Sequence, residues 1–172
     1  MREYLVQERG INPRLVDHQI ERKRIFATAV ESHGRVYVNA AFRLQSPDGE
    51  GVEMRGIAGS YHGMRGKKGV YSISTGDGYT KAVFVESTVE ALSYMTLALE
   101  RGEKVKVIST GGSAVKTLQN AVQAEIDKGV RVVPAFNTDS AGKRLSERVT
   151  AMSGEQPEEP PCLLYTSPSP RD

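Results

Sequence analysis

The sequence predicts a mixed α/β fold, in which a small α+β unit with an antiparallel sheet precedes a parallel-sheet, Rossmann-like unit. In the first half, runs of strand-forming residues alternate with turn-forming Gly, Pro, Asn and Asp. In the second half, three short apolar runs alternate with three helical stretches, each ended by a glycine: Gly102, Gly129 and Gly154. This alternation predicts a parallel sheet with right-handed crossovers, which binds ligands at the carboxyl ends of its strands.

The first half, residues 1–78, begins with helical segments. Apolar residues recur at helical intervals from Tyr4 to Arg24, with an interruption at Gly10, and Asn12-Pro13 is a typical helix start. Four candidate strands follow, at Ile25–Val30, Val36–Leu44, Val52–Ala58 and Val70–Ser74. The segment before the last strand, GSYHGMRGKKG, predicts a glycine-rich basic loop. These elements form the expected antiparallel unit.

The second half, residues 79–154, begins after the turn Gly76-Asp77-Gly78. Its candidate strands are Ala82–Val85, Val105–Ser109 and Val130–Phe136, and its candidate helices are Thr88–Arg101, Ala114–Lys128 and Ser140–Met152. Residues 155–172 are expected to form a disordered tail, and the last eleven, CLLYTSPSPRD, resemble a translated sequencing adaptor. We therefore expect the natural chain to continue beyond Pro161, so that the second domain is C-terminally truncated.

Polar residues follow two of the three strands of the second half. Glu86 follows the first strand, and Asn137, Thr138 and Asp139 follow the third. Oxygen ligands at neighbouring strand ends are what Mg²⁺ requires, with water and phosphate completing its shell. The simpler alternatives are a carboxylate near a helix start for Glu86 and a helix N-cap for Asp139.

The stretches FVESTVEALSY and AFNTDSAGKRL resemble the two signature motifs of the Toprim domain of primases, topoisomerases and some nucleases. The resemblance implies that Glu86 is a general acid/base and that Glu86, Asn137 and Asp139 hold Mg²⁺ or Mn²⁺. The reaction would be phosphoryl or nucleotidyl transfer on nucleic acid. The stretches YLVQERGI, NAAFRL and MRGIAGS resemble the domain that precedes Toprim in plasmid mobilisation and primase-like proteins, which implies a mobile-element origin.

Asn137 departs from the Toprim pattern, which has an aspartate there. Asparagine keeps one oxygen ligand but loses a unit charge. Such a charge about 4 Å from a divalent ion contributes about 8 kcal/mol at an effective dielectric of about 20, before desolvation is subtracted. We therefore expect metal binding in this fragment to be weak.

Several segments offer contacts to phosphate. Backbone N–H groups of Gly111-Gly112-Ser113, at a helix start, can hold a phosphate, although an ordinary turn explains them equally well. Lys143 and Arg144 follow the acidic motif, where a solvated helix face is the simpler explanation. Four basic residues near Tyr61 and His62 suit a single-stranded nucleic acid, or belong to a solvated basic loop; they are Arg55, Arg65, Lys67 and Lys68. His18 and His33 have no partner motif, which predicts structural roles.

Composition limits the remaining possibilities. The only cysteine, Cys162, rules out a disulfide framework and a Cys-rich zinc site within the chain. No apolar run approaches the length of about 20 residues that spans a bilayer, and the N-terminus lacks a signal-peptide core, so we expect a cytoplasmic protein without a membrane partner.

The resemblance implies single-stranded DNA or an RNA primer as partner, with helicase or relaxase domains elsewhere in the intact protein. Two other functions stay open. One is a non-catalytic nucleic-acid-binding module with a degenerate metal site. The other is an unrelated α/β domain that binds a small phosphorylated ligand at Gly111-Gly112.

Overall fold

The N-terminal helices position one side of the core. The structure, a computed structural model, describes residues 1–111 and 115–159. A short π-helical segment, Tyr4–Glu8, precedes helix α1, Pro13–Glu21. The Asn12 side chain accepts hydrogen bonds from the backbone N–H of Arg14 and Leu15 at 3.0 and 3.3 Å, and Pro13 opens the helix. The expected cap and helix start are therefore confirmed.

The first sheet is antiparallel throughout. Its strands lie in the order β1 (Ile25–Ser32), β2 (Arg35–Ser46), β3 (Gly49–Gly56) and β4 (His62–Gly66). Strand β4 corrects the sequence prediction, which placed a loop over residues 59–69. The glycines of this region do not mark turns alone, because they also allow close backbone contact: a Cβ on Gly51 would lie 1.9 Å from the carbonyl oxygen of Lys67. Arg65 therefore lies in a strand rather than in a loop.

The second sheet supports the candidate site. It contains β5 (Tyr71–Ser74), β6 (Lys81–Val85), β7 (Val105–Ser109) and β8 (Arg131–Pro134), in the spatial order β5-β7-β6-β8. Strands β7, β6 and β8 are mutually parallel, as expected, and β5 runs antiparallel to β7 at the edge. The connecting helices are α2 (Thr88–Glu100), α3 (Val115–Ile126) and α4 (Ser140–Ser153). None of the helices in the described part of the chain is both long enough and apolar enough to cross a membrane.

Strand β5 was expected in the first sheet and lies in the second. Val70 still pairs with Gln45 of β2 through an isolated bridge, and the chain then passes directly to the second sheet at Tyr71. An antiparallel edge strand has the same local sequence pattern in either sheet, so the sequence alone does not show to which sheet β5 belongs. The domain boundary near residue 78 stays a prediction.

The two faces of the second sheet are buried against different elements. Along β6, Val83 and Val85 face a core shared with the N-terminal helices and the first sheet, whereas Ala82 and Phe84 face α3 and α4. Adjacent strand residues point to opposite faces, so the unbroken apolar run AVFV of β6 is buried on both sides. The sheet is thus covered on both faces, and only its edges reach solvent.

Candidate functional site

The carboxyl ends of β6 and β8 bring Glu86 and Asn137 into contact. These strands are adjacent and parallel, so the residues that follow them emerge at one edge of the sheet. The Asn137 side-chain nitrogen donates to Glu86 Oε2 and to Glu90 Oε1, both at 3.0 Å. Two residues from separate predicted motifs therefore meet, together with a third, Glu90, that the sequence analysis missed.

Glu90 belongs to a capping box at the start of α2. The Ser87 hydroxyl accepts from the backbone N–H of Glu90 at 3.3 Å, and Glu90 Oε2 accepts from the backbone N–H of Ser87 and of Glu86, both at 3.0 Å. The signal is present in the sequence as Ser-x-x-Glu before an apolar run. These bonds fix the backbone of Glu86, and they hold a second carboxylate beside it.

The environment of Glu90 favours its neutral form. Burial raises the pKa of the Glu90 carboxyl, and the nearby negative charge of Glu86 raises it further, although hydrogen bonds from Ser87 and Asn137 oppose the shift. Asn137 thus supplies hydrogen bonds, but no positive charge, to two adjacent carboxylates.

Asp139 lies at the N-cap of α4 and is exposed. Its Oδ1 accepts a hydrogen bond from the backbone N–H of Gly142 at 2.8 Å. Gly142 is required by the tight turn, because a Cβ there would lie 2.0 Å from the carbonyl oxygen of Asn137. Asp139 therefore caps the helix, as the simpler alternative predicted. Its other carboxylate oxygen, Oδ2, is not used by this hydrogen bond, so a role in metal binding stays open.

The donors at this edge fit a divalent cation only in part. Within residues 1–111 and 115–159, no three His, Cys, Asp or Glu side chains form a group that could hold a metal ion. The carboxylates of Glu86 and Glu90 and the amide oxygen of Asn137 are hard oxygen donors of the kind that Mg²⁺ takes. However, the amide nitrogen faces both carboxylates, so the Asn137 side chain must rotate before its oxygen can act as a ligand.

Strand β7 closes the same edge. Thr110 donates from its backbone N–H to the Val85 carbonyl at 3.1 Å and from its hydroxyl to the Glu86 carbonyl at 3.3 Å. Gly111 follows in a left-handed conformation with φ +53° and packs against Leu44. The expected phosphate turn thus begins beside Glu86, while Gly112 and Ser113 lie outside the described residues.

The predicted basic contacts divide into two groups. Lys143 is exposed and lines a cleft of about 400 Å³ together with Asn137 and Thr138, and Arg144 is exposed on the same helix. Arg65, Lys67 and Lys68 are exposed on or after β4. Only Lys143 is therefore placed directly beside the acidic edge by its position in that cleft.

Glu53 on β3 connects the first sheet to the acidic edge. It is fully buried, and its Oε2 accepts from the Thr88 backbone N–H at 3.1 Å and from the Thr88 hydroxyl at 2.6 Å. Its Oε1 lies 3.4 Å from both Arg55 Nε and His62 Nε2, and neither Oε1 nor Arg55 Nε has a hydrogen-bond partner among the described residues. Arg55 is thereby held near the start of α2.

The charge on Glu53 is stabilised despite its burial. Burial acts to raise the pKa of its carboxyl, but the neighbouring His62 imidazole, the hydrogen bonds from Thr88 and the charge of Arg55 lower it overall. The sequence analysis missed this residue, because a glutamate in the alternating run VEMRG is typical of the solvent side of a strand.

The comparisons show what this fold is similar to. One solved structure, the primase fragment of the bacteriophage T7 primase-helicase protein, is similar with a TM-score of 0.52 and 15% identity over 84% of this chain. Another similar structure is that of the T7 lagging-strand DNA polymerase with primase domains bound to an RNA/DNA hybrid and dTTP. Its matched chain gives a TM-score of 0.50 and 18% identity over 83% of this chain.

The fold is primase-like. Its match spans 57% of the T7 primase fragment and 70% of the second chain. No protein-family model and no curated protein matches the sequence. At this identity the similarity bears on the fold, and the chemistry rests on the residues at the acidic edge.

Proposed function

We propose that this chain is part of a Toprim-type, primase-like DNA-processing protein that performs Mg²⁺-dependent phosphoryl or nucleotidyl transfer on nucleic acid. The observation that carries the proposal is the contact between Glu86 and Asn137 at adjacent parallel strand ends of a primase-like fold. It joins the two sequence motifs at the edge where parallel sheets bind ligands.

In this proposal Glu86 is the general acid/base that moves the proton at the reacting phosphate. Glu86, Asn137 and Asp139 would hold Mg²⁺ or Mn²⁺, and the Glu90 carboxyl, which accepts a hydrogen bond from Asn137, would help to orient that side chain. When bound, the ion would neutralise charge on the phosphate oxygens. The Ser87–Glu90 capping box fixes the Glu86 backbone, so that the reactive carboxylate is positioned before substrate arrives.

Arg55, held beside Glu53, and Lys143, in the cleft with Asn137, are the basic contacts nearest this edge in the proposal. The backbone of Gly111-Gly112-Ser113 would hold a phosphate of single-stranded DNA or of an RNA primer. Arg65, Lys67, Lys68 and Arg144 would extend this surface along the strand. Helicase or relaxase domains in a longer chain would supply the substrate.

The test compares the chain with its Glu86→Gln variant in Mg²⁺- or Mn²⁺-dependent primer synthesis and cleavage assays on single-stranded DNA. Glutamine cannot transfer the proton, so we expect activity to fall by about 10²–10⁴-fold while the circular dichroism spectrum is unchanged. Glu100→Gln, an exposed glutamate at the other end of α2, is the matched control. Equal activity of parent and Glu86→Gln would overturn the proposed role.

A second candidate function is a non-catalytic nucleic-acid-binding module. It is favoured by the Asn137 amide, whose nitrogen occupies the position between the two carboxylates where a cation would bind. Single-stranded DNA binding that is equally tight in EDTA and in Mg²⁺, without activity in either, would favour this function over catalysis.

A further inference from the structure

The amino edge of the second sheet carries a cleft that the candidate site does not use. Its volume is about 560 Å³, and it is walled by the end of α1, by β5 with the turn after it, and by the start of β7. Among the described residues, three cationic side chains line it, from Arg22, Arg24 and Lys106, against one acidic side chain, from Asp77, and His18 also lines it. This excess of positive charge lies in a concave surface large enough for a nucleotide.

The cleft is separate from the acidic edge. Ser74 pairs with Lys106, and Tyr71 pairs with Ser109, so the end of β5 lies at the amino end of the parallel strands. Lys106 is four residues before Thr110, which contacts the Glu86 backbone. At about 3.3 Å per strand residue, this separation is about 13 Å through the body of the sheet.

Two of the cations are already held in place. Arg24 donates from Nη2 to the Ser72 carbonyl at 2.6 Å, and its guanidinium stacks over the Tyr71 ring at 4.4 Å. Because these partners are uncharged, Arg24 keeps its full charge for a ligand. Lys106 donates to Glu125 at 2.7 Å and lies 5.5 Å from the centre of the Tyr79 ring.

Arg22 supplies a cation with no such partner. It is exposed, and within the described residues its side chain makes no hydrogen bond or ion pair. It precedes Lys23, whose backbone adopts a left-handed conformation with φ +54°. This turn brings the chain sharply from α1 into β1, which places Arg22 and Arg24 along the same cleft.

We propose that this cleft is a second anion site, which binds a phosphate-bearing ligand of nucleotide size. Guanidinium groups match phosphate oxygens in geometry as well as in charge, and a neighbouring aromatic ring suits a nucleobase. The phosphate could come from a free nucleoside triphosphate or from the backbone of a single strand. The site requires neither a metal ion nor Glu86, so it stands independently of the proposed function.

The experiment titrates the full chain in EDTA at low salt with two separate probes, ATP and an eight-nucleotide oligothymidylate, and measures binding by calorimetry. Tighter binding of ATP would identify a mononucleotide site, and tighter binding of the oligonucleotide a strand-binding site. We expect Arg22→Glu to weaken the better probe by about tenfold or more. For the oligonucleotide, the slope of log affinity against log salt should become shallower by about 0.7 for each phosphate that the variant no longer neutralises.

Two matched variants make the test specific. Arg35→Glu carries the same charge change on an exposed residue of the β1–β2 hairpin and should leave affinity nearly unchanged. Asp77→Asn removes the one acidic residue that lines the cleft within the described part of the chain and should tighten binding about threefold. Equal losses of affinity in Arg22→Glu and Arg35→Glu, or no binding of either probe below millimolar concentration, would overturn the proposal.

Discussion

The two edges of the second sheet have opposite chemistry. At the carboxyl edge, Glu86 and Glu90 lie side by side and are bridged by the neutral amide of Asn137, with buried Glu53 close behind. At the amino edge, Arg22, Arg24 and Lys106 line an open cleft.

Helix polarity explains the acidic half of this difference. In a parallel α/β sheet the helices start at the carboxyl edge of the strands and end near the amino edge. Helix starts favour negative groups and helix ends favour positive ones. The α2 and α4 starts accordingly hold Glu90 and Asp139. None of the helices α2, α3 and α4 has a basic residue in its last turn, so helix polarity accounts for the acidic edge but not for the basic cleft, whose cations come from the α1–β1 turn and from β7.

A buried carboxylate lies near each edge, and the two differ in how many of their oxygens accept hydrogen bonds. Glu125, beside the basic cleft, accepts from Lys106, Lys128 and Tyr79 at 2.7, 2.9 and 2.8 Å. Glu53, behind the acidic edge, has one oxygen without any hydrogen bond. The carboxylate with the more complete set of hydrogen bonds, Glu125, thus lies at the edge to which we assign no catalysis. Substitution of Glu53 is the most direct test of this difference between the edges.

The largest expected effect on stability is that of Glu53→Ala. Its removal leaves the buried Thr88 donors and the Arg55 charge without a partner, so we expect the free energy of unfolding to fall by about 3 kcal/mol. Urea denaturation measures this. Glu50→Ala on the same strand, which removes only an exposed pair with Arg43, should cost less than about 1 kcal/mol. Equal losses of stability would mean that Glu53 does not anchor α2.

The same residue predicts a pH dependence. Because the folded state lowers the pKa of the Glu53 carboxyl below its ordinary value of 4.5, its stabilising contribution is complete above that value. The contribution is lost as the pH falls through the folded-state pKa. Acid titration of stability should therefore be shallower in Glu53→Gln than in the parent, and parallel curves would contradict this.

At the amino edge, Glu125→Ala should cost less, about 2 kcal/mol. Its partner Lys128 is half exposed and Lys106 is partly exposed, so both can recover hydration once the carboxylate is gone. Asp127→Ala, an exposed neighbour, is the control in the same urea series. If Glu125→Ala lost more stability than Glu53→Ala, the expected order of the two stability effects would be wrong.

The smallest effect in free energy is expected for Asn137→Asp. A full negative charge in place of the amide should tighten Mg²⁺ or Mn²⁺ binding by about tenfold, which is about 1.4 kcal/mol. Without metal, the new carboxylate beside Glu86 and Glu90 should raise one carboxyl pKa and lower the thermal midpoint. Calorimetry with and without single-stranded DNA measures the affinity. Equal affinities of parent and variant would mean that position 137 does not touch a metal, and would favour the binding module.

The local elements were largely predictable from the sequence. Helix α1 begins where Asn12-Pro13 indicated, and the strand–helix alternation of the second half appears as expected. These features depend on neighbours within a few residues, where capping groups, glycines and apolar periodicity act directly. The positions of Glu86 and Asn137 after parallel strands were predictable for the same reason.

Only the tertiary structure decided which distant residues meet. Strand β5 belongs to the second sheet rather than the first, Glu53 is buried at the start of α2, and Arg22 lies beside Lys106. None of these follows from local pattern, because a strand residue's burial depends on what packs against its face. The amino-acid sequence by itself determined the elements and the acidic motif residues. Packing between the sheets determined what surrounds them, since charge and burial at a site depend on contacts between residues far apart in the chain.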